Sequence, residues 1–136
     1  MIPTVTCGKR SSTGIATTPC HRSFSFAQMQ ALSARVANLL VAQGVKPGDV
    51  VAGLLPRTPE LVATILGTWR AGAVYQPLFT AFGPKAIEHR LRMSEATLVV
   101  TNTANRGKLD DVADCPPVVR CANPASPCPM AISIGA

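Results

Sequence analysis

Apolar residues recur at helical spacing early in the chain: Phe26, Met29, Leu32, Val36, Leu39 and Leu40. Ala27, Ala31, Ala34 and Ala37 fill the turns between them, so the spacing predicts an amphipathic helix with that stripe on a core. Ser25 and Gln28 form a capping-box pattern at its start, and Gly44 is placed to end it in the left-handed conformation. The residues just before, Arg22, Ser23, Phe24, Ser25 and Phe26, read as a short edge strand handing over to the helix. A polar interval follows, in which Pro47 and Gly48 occupy the central positions of a type II turn. Residues 50–55 are then almost continuously apolar, which suits a strand covered on both faces of a parallel sheet.

The same grammar repeats twice. Thr58 can cap a second helix, Pro59 fits its first position, and Glu60 favours the positive end of its dipole. Leu61, Val62, Ile65, Leu66 and Trp69 are expected on its inner face, with Gly72 ending it. Residues 73–78 form a second buried strand, stopped by Pro77, which has no N–H to donate. Gly83 allows a sharp turn, and Pro84 opens a third helix. Ile87, Leu91 and Met93 form its buried face; Lys85, Glu88, Arg92 and Glu95 face water, and His89 reads as an exposed or satisfied helix histidine. Residues 97–101 are a third buried strand. Strand, helix, strand, helix, strand predicts an α/β fold: a parallel sheet of three main strands joined by right-handed crossovers with flanking helices. The loop between the second strand and the third helix is then where an open α/β sheet places a ligand.

The two ends lack this periodicity. Residues 1–22 are rich in Ser, Thr, Gly and Pro and predict an irregular segment. From Cys115 onward, Pro116, Pro117, Pro124, Pro127 and Pro129 crowd the chain, and neither helix nor central strand is expected in a disordered tail of this kind. The chain therefore divides into an irregular segment (1–22), a partial α/β domain (23–114) and a Pro/Cys-rich tail (115–136).

At 136 residues, 47% of them apolar but only 4% aromatic, the chain has a modest core built mainly from Ala, Val and Leu. Part of that apolar surface is expected to face other protein. The net charge of +6 is scattered over several elements and forms no basic block, and so few aromatics offer no stacking surface, which excludes a nucleic-acid reader. No apolar run reaches 18 residues, and the first dozen residues lack the apolar core of a secretion signal, so a cytoplasmic location is expected. The five cysteines (Cys7, Cys20, Cys115, Cys121 and Cys128) show no C-x2-C pair and an odd count. They are expected to be incidental thiols, neither a metal site nor a disulfide framework.

Three motifs at this spacing carry a resemblance: Gly-Val-Lys-Pro-Gly-Asp at 44–49, Leu-Pro-Arg-Thr-Pro-Glu at 55–60 and Ala-Gly-Ala-Val-Tyr-Gln-Pro-Leu at 71–78. Together they resemble the N-terminal part of the adenylate-forming (AMP-binding) superfamily over roughly residues 23–110. The loop and helix at 78–91 look like those of short- and medium-chain acyl-CoA synthetases, acetyl-CoA synthetase among them. The resemblance implies an acid–thiol ligase chemistry: a carboxylic acid reacts with ATP, assisted by Mg2+, to an acyl-adenylate, and the acyl group passes to coenzyme A. It also implies that Phe79, Thr80 and Ala81 line the nucleotide end of coenzyme A and that Arg106 and Lys108 contact its phosphates. Guanidinium and ammonium groups suit that role, and small side chains allow close backbone approach. The alternative for Arg106 and Lys108 is that of exposed loop charges.

The family's phosphate loop, its Tyr-Gly-x-Thr-Glu motif, its hinge aspartate and its C-terminal catalytic lysine have no counterpart here. The resemblance therefore implies that the ATP site is not present in this chain, which alone is not expected to catalyse and carries no catalytic residue. The expectation is an N-terminal fragment of an acyl-CoA synthetase, cut short by truncation or frameshift. The alternative is a small non-catalytic α/β module that binds a CoA-like nucleotide or a partner subunit through an exposed apolar interface.

Overall fold

The computed structural model describes residues 23–121 and the backbone of 133–135. The element order is α1 (Phe26–Ala42), β1 (Val50–Leu54), α2 (Pro59–Arg70), β2 (Val74–Pro77), α3 (Pro84–Ser94), β3 (Leu98–Asn102), α4 (Gly107–Asp110), β4 (Val118–Cys121) and β5 (Ser133–Gly135). They build one sheet in the order β2-β1-β3-β4-β5, parallel through β4 and closed by an antiparallel β5. The α/β class and the parallel crossovers expected from the sequence are what the chain adopts.

Strand alternation sends successive side chains to opposite faces. Val51, Leu55, Leu98, Val100, Val119 and Cys121 meet Val36, Leu40 and Ala63 of α1 and α2. Ala52, Leu54, Val99 and Val118 meet Ile87, Leu91 and Leu109 of α3 and α4 on the other side. The molecule is thus a helix–sheet–helix sandwich with two cores. Leu40, Leu54 and Ile87 are fully buried, and each such side chain is worth about 1.5–3 kcal/mol.

Local signals explain the helix ends. Gln28 N–H donates to Ser25 Oγ at 3.2 Å and Ser25 N–H to Gln28 Oε1 at 2.9 Å, so the capping box is formed. Gly44, Gly48 and Gly72 take φ of 87°, 93° and 76°, values that favour glycine, at the ends of α1 and α2 and in the turn between Lys46 and Asp49. Thr58 stands at the N-cap of α2 without a side-chain cap bond. Gly83 takes φ −76°, open to any residue, so Pro84 rather than glycine freedom sets the entry to α3.

Five expectations are corrected. Residues 23–25 belong to neither helix nor strand, and α1 begins at Phe26; Arg22 lies outside the described residues. Phe26 is 97% exposed and Met93 72%, so neither joins the core stripe. In α2 the fully buried face is Ala63, Thr64, Gly67 and Thr68, whereas Trp69 is 62% exposed. The reason is the close approach of α1: a Cβ on Gly67 would lie 2.6 Å from Val36 Cβ, leaving room only for small side chains. The two buried threonines return their hydroxyls to the helix, Thr64 Oγ1 to Glu60 O at 2.7 Å and Thr68 Oγ1 to Thr64 O at 2.8 Å. β2 is the sheet edge rather than a buried strand, with Val74 54% exposed.

Residues 118–121, expected to carry no strand, form β4, hydrogen-bonded between β3 and β5. Pro116 and Pro117 precede the strand, where the missing N–H is not needed, and Pro117 O accepts Val99 N–H at 3.0 Å. The expectations for 1–22, and for Pro124, Pro127, Pro129, Cys7, Cys20 and Cys128, fall outside the described residues. No helix among the described residues is long and apolar enough to cross a membrane.

Candidate functional site

A parallel sheet brings the carboxyl ends of its strands, and the loops that leave them, to one edge. Here that edge carries the loop from β2 to α3 and the turn from β3 to α4. Leu78 anchors the first: it is 4% exposed, and its N–H donates to Gly53 O at 3.0 Å. The chain then turns so that Phe82 N–H donates to Phe79 O at 3.0 Å. Phe79 points outward, 58% exposed, with Thr80 half-buried and Ala81 exposed beside it. Phe82 packs on the α3–α4 core and meets the Phe79 ring edge-on, centroids 5.8 Å apart and planes at 69°. The Arg90 guanidinium of α3 lies 4.6 Å above the Phe82 ring.

The second segment is built on an asparagine turn. Asn102 Oδ1 accepts Asn105 N–H at 3.0 Å and Asn105 Nδ2 at 2.8 Å, which reverses the chain at the end of β3. Leu109, 2% exposed, plugs α4 into the core. The helix thereby carries Lys108 across to the first loop, where its Nζ donates to Thr80 O. Arg106, on the same turn, pairs with Asp110 at 2.6 Å.

All five residues expected at a ligand site thus stand on one edge of the sheet. Phe79, Thr80 and Ala81 form one continuous loop, and Lys108 is brought onto that loop. Arg106 shares the turn but is engaged by Asp110. Arg90, Asn102 and Asn105, which were not among the expected residues, also shape this edge. The asparagines carried a readable signal, being turn-forming residues at the end of an apolar run.

Burial pushes the Cys115 thiol up; Arg106 draws it down and Asp110 raises it further. Burial, with the charge of Glu60, pushes Cys121 up to about 11, so it is an unreactive core thiol. Tyr75 is pushed up to about 12 by burial. Among the described residues no group of three or more His, Cys, Asp or Glu could hold a metal ion.

The profile of the AMP-binding enzyme family matches residues 8–130. Acetyl-coenzyme A synthetase of Sodalis glossinidius is 41% identical over 80 residues, covering 59% of this chain and 12% of that protein. Syringomycin synthase SyrB1 of Pseudomonas syringae is 37% identical over 91 residues, covering 67% of this chain and 15% of that protein. The chain thus spans about an eighth to a sixth of these relatives. Among solved structures, the acyl-CoA synthetase of Brucella canis superposes with a TM-score of 0.72 at 55% identity, over 82% of this chain and 22% of that one. MatB of Rhodopseudomonas palustris superposes with a TM-score of 0.69 at 31% identity, over 76% of this chain and 21% of that one. On the family match across residues 8–130 and these likenesses, the chain belongs to the AMP-binding enzyme family, as an acyl-CoA-synthetase-like N-terminal segment.

Proposed function

We propose that this chain is the coenzyme A-facing part of an acyl-CoA synthetase, with ATP handling left to the portion of the relatives it does not span. The observation that carries this reading is the meeting of the loop at 79–82 with Lys108, a cation placed on a loop of exposed aromatic and small residues. The donor set suits a phosphorylated nucleotide. An ammonium has three N–H donors, of which Thr80 O takes one, leaving two for phosphate oxygens. Arg106 supplies a second cation once its bond to Asp110 is exchanged for phosphate. Phe79 offers an exposed ring face, and Ala81 lets the backbone approach closely. Coenzyme A, when bound, supplies the thiol that accepts the acyl group; these residues hold its nucleotide end.

ATP, Mg2+ and the carboxylic acid belong, on this reading, to the acyl-adenylate step carried out elsewhere in the full enzyme. Phe26, Met29, Leu66 and Trp69 line a shallow apolar cleft at the α1–α2 surface, which supports an interface with further protein.

Two measurements on the purified chain test this. No ATP–pyrophosphate exchange with acetate or propionate is expected, and an exchange signal would contradict the division of labour. Equilibrium dialysis is expected to show saturable coenzyme A binding, weakened roughly tenfold or more by Arg106→Ala with Lys108→Ala, since one charge-assisted bond is worth about 1.5–3 kcal/mol and solvent screens cations at an open edge. Binding that ignores both substitutions would remove these residues from the site.

A further inference from the structure

The loop at 79–82 is gripped from both flanking helices. From α4, Lys108 Nζ donates to Thr80 O, a bond that spans 28 positions of sequence. From α3, the Arg90 guanidinium covers the Phe82 ring at 4.6 Å. Arg90 is itself held near β2, because Gln76 Nε2 donates to Arg90 O at 3.1 Å and Ser94 Oγ donates to Gln76 Oε1 at 2.7 Å. Between the two cations the loop keeps one backbone bond of its own, Phe82 N–H to Phe79 O. A loop of four residues with a single internal bond would otherwise sample several conformations.

We propose that Lys108 and Arg90 are positioning residues: two cations, one from each flanking helix, that hold this loop in one conformation before any ligand arrives. Preorganisation of this kind removes an ordering cost from binding. That the ordered loop serves a nucleotide rests on the function proposed above; the clamp itself does not.

Hydrogen exchange on the whole chain separates the two. The Phe82 amide reports the loop, and the Val99 amide, bonded to Pro117 O inside the sheet, reports global opening. Lys108→Met is expected to speed exchange at Phe82 roughly tenfold, as for loss of a bond from a charged donor. Arg90→Met is expected to speed it roughly two- to fivefold, as for an exposed cation–π contact. Val99 should not change, and Lys108→Arg and Arg90→Lys, which keep the cation, should restore most of the protection. Unchanged exchange at Phe82 in both Met variants would overturn the proposal. So would an equal rise at Val99, or failure of the conservative variants to rescue. Coenzyme A dialysis on the same variants addresses the ligand: faster loop exchange with unaltered coenzyme A binding keeps the clamp and removes the nucleotide reading.

Discussion

Gly67→Leu is expected to destabilise the chain by roughly 2 kcal/mol or more, read as a lower urea midpoint with an unchanged slope. Gly67 is the point where α2 presses on α1. A Cβ there would lie 2.6 Å from Val36 Cβ and Cγ1 and 3.0 Å from Ser33 O. Val36 is β-branched and 5% exposed, so it cannot swing aside cheaply. Two effects oppose each other. Replacing glycine inside a helix gains about 0.8–1 kcal/mol in backbone terms, and overpacking costs about 1–3 kcal/mol. Gly67→Ala already brings that Cβ against Val36, so steric cost outweighs the helix gain there too; for Leu the helices must separate and the loss is larger. A Leu variant as stable as the parent would show that the helices do not cross this closely.

Leu54→Ala is expected to cost about 2–5 kcal/mol. Leu54 is fully buried at the end of β1, in the cluster that holds Leu78 and Ile87, and its carbonyl accepts Thr101 Oγ1 at 3.1 Å. The cavity would open beneath Leu78, the residue that anchors the loop at 79–82. The same variant should therefore lose coenzyme A affinity as well as stability, whereas Gly67→Leu, acting across the sheet, should lose mainly stability. Comparing urea midpoints and dialysis for the two variants checks that ordering.

Much of the scaffold was legible because its signals are local. The Ser25–Gln28 capping box and the glycines at 44, 48 and 72 each need only a few neighbouring residues to act. The apolar runs of β1 and β3 were also plain, since both strands are buried on two faces. What failed were inferences about which partner an apolar residue finds. Periodicity places Trp69 in the core, yet Gly67 and Thr68 take the buried positions because α1 leaves no room for bulk. β4 was missed because prolines were counted over a whole segment. Pro117 lies just outside the strand and contributes its carbonyl, the one group it can offer.

The site was legible only in part, for the same reason. The loop at 79–81 and the cations at 106 and 108 emerged from the family resemblance and stand on one sheet edge. Their direct link, Lys108 to Thr80, and the Arg90–Phe82 stack depend on where α3 and α4 pack, which no local spacing reveals. The pairing of Arg106 with Asp110 is an i,i+4 contact and could have been anticipated from the sequence alone.

The most direct test places this segment where its relatives carry theirs. Residues 23–121 would replace the matching segment of the Brucella canis acyl-CoA synthetase, and KM for coenzyme A and for ATP would be measured with and without Arg106→Ala and Lys108→Ala. An active chimera is expected, with KM for coenzyme A rising roughly tenfold on the double substitution while KM for ATP holds. An active chimera whose coenzyme A KM ignores both substitutions would contradict it.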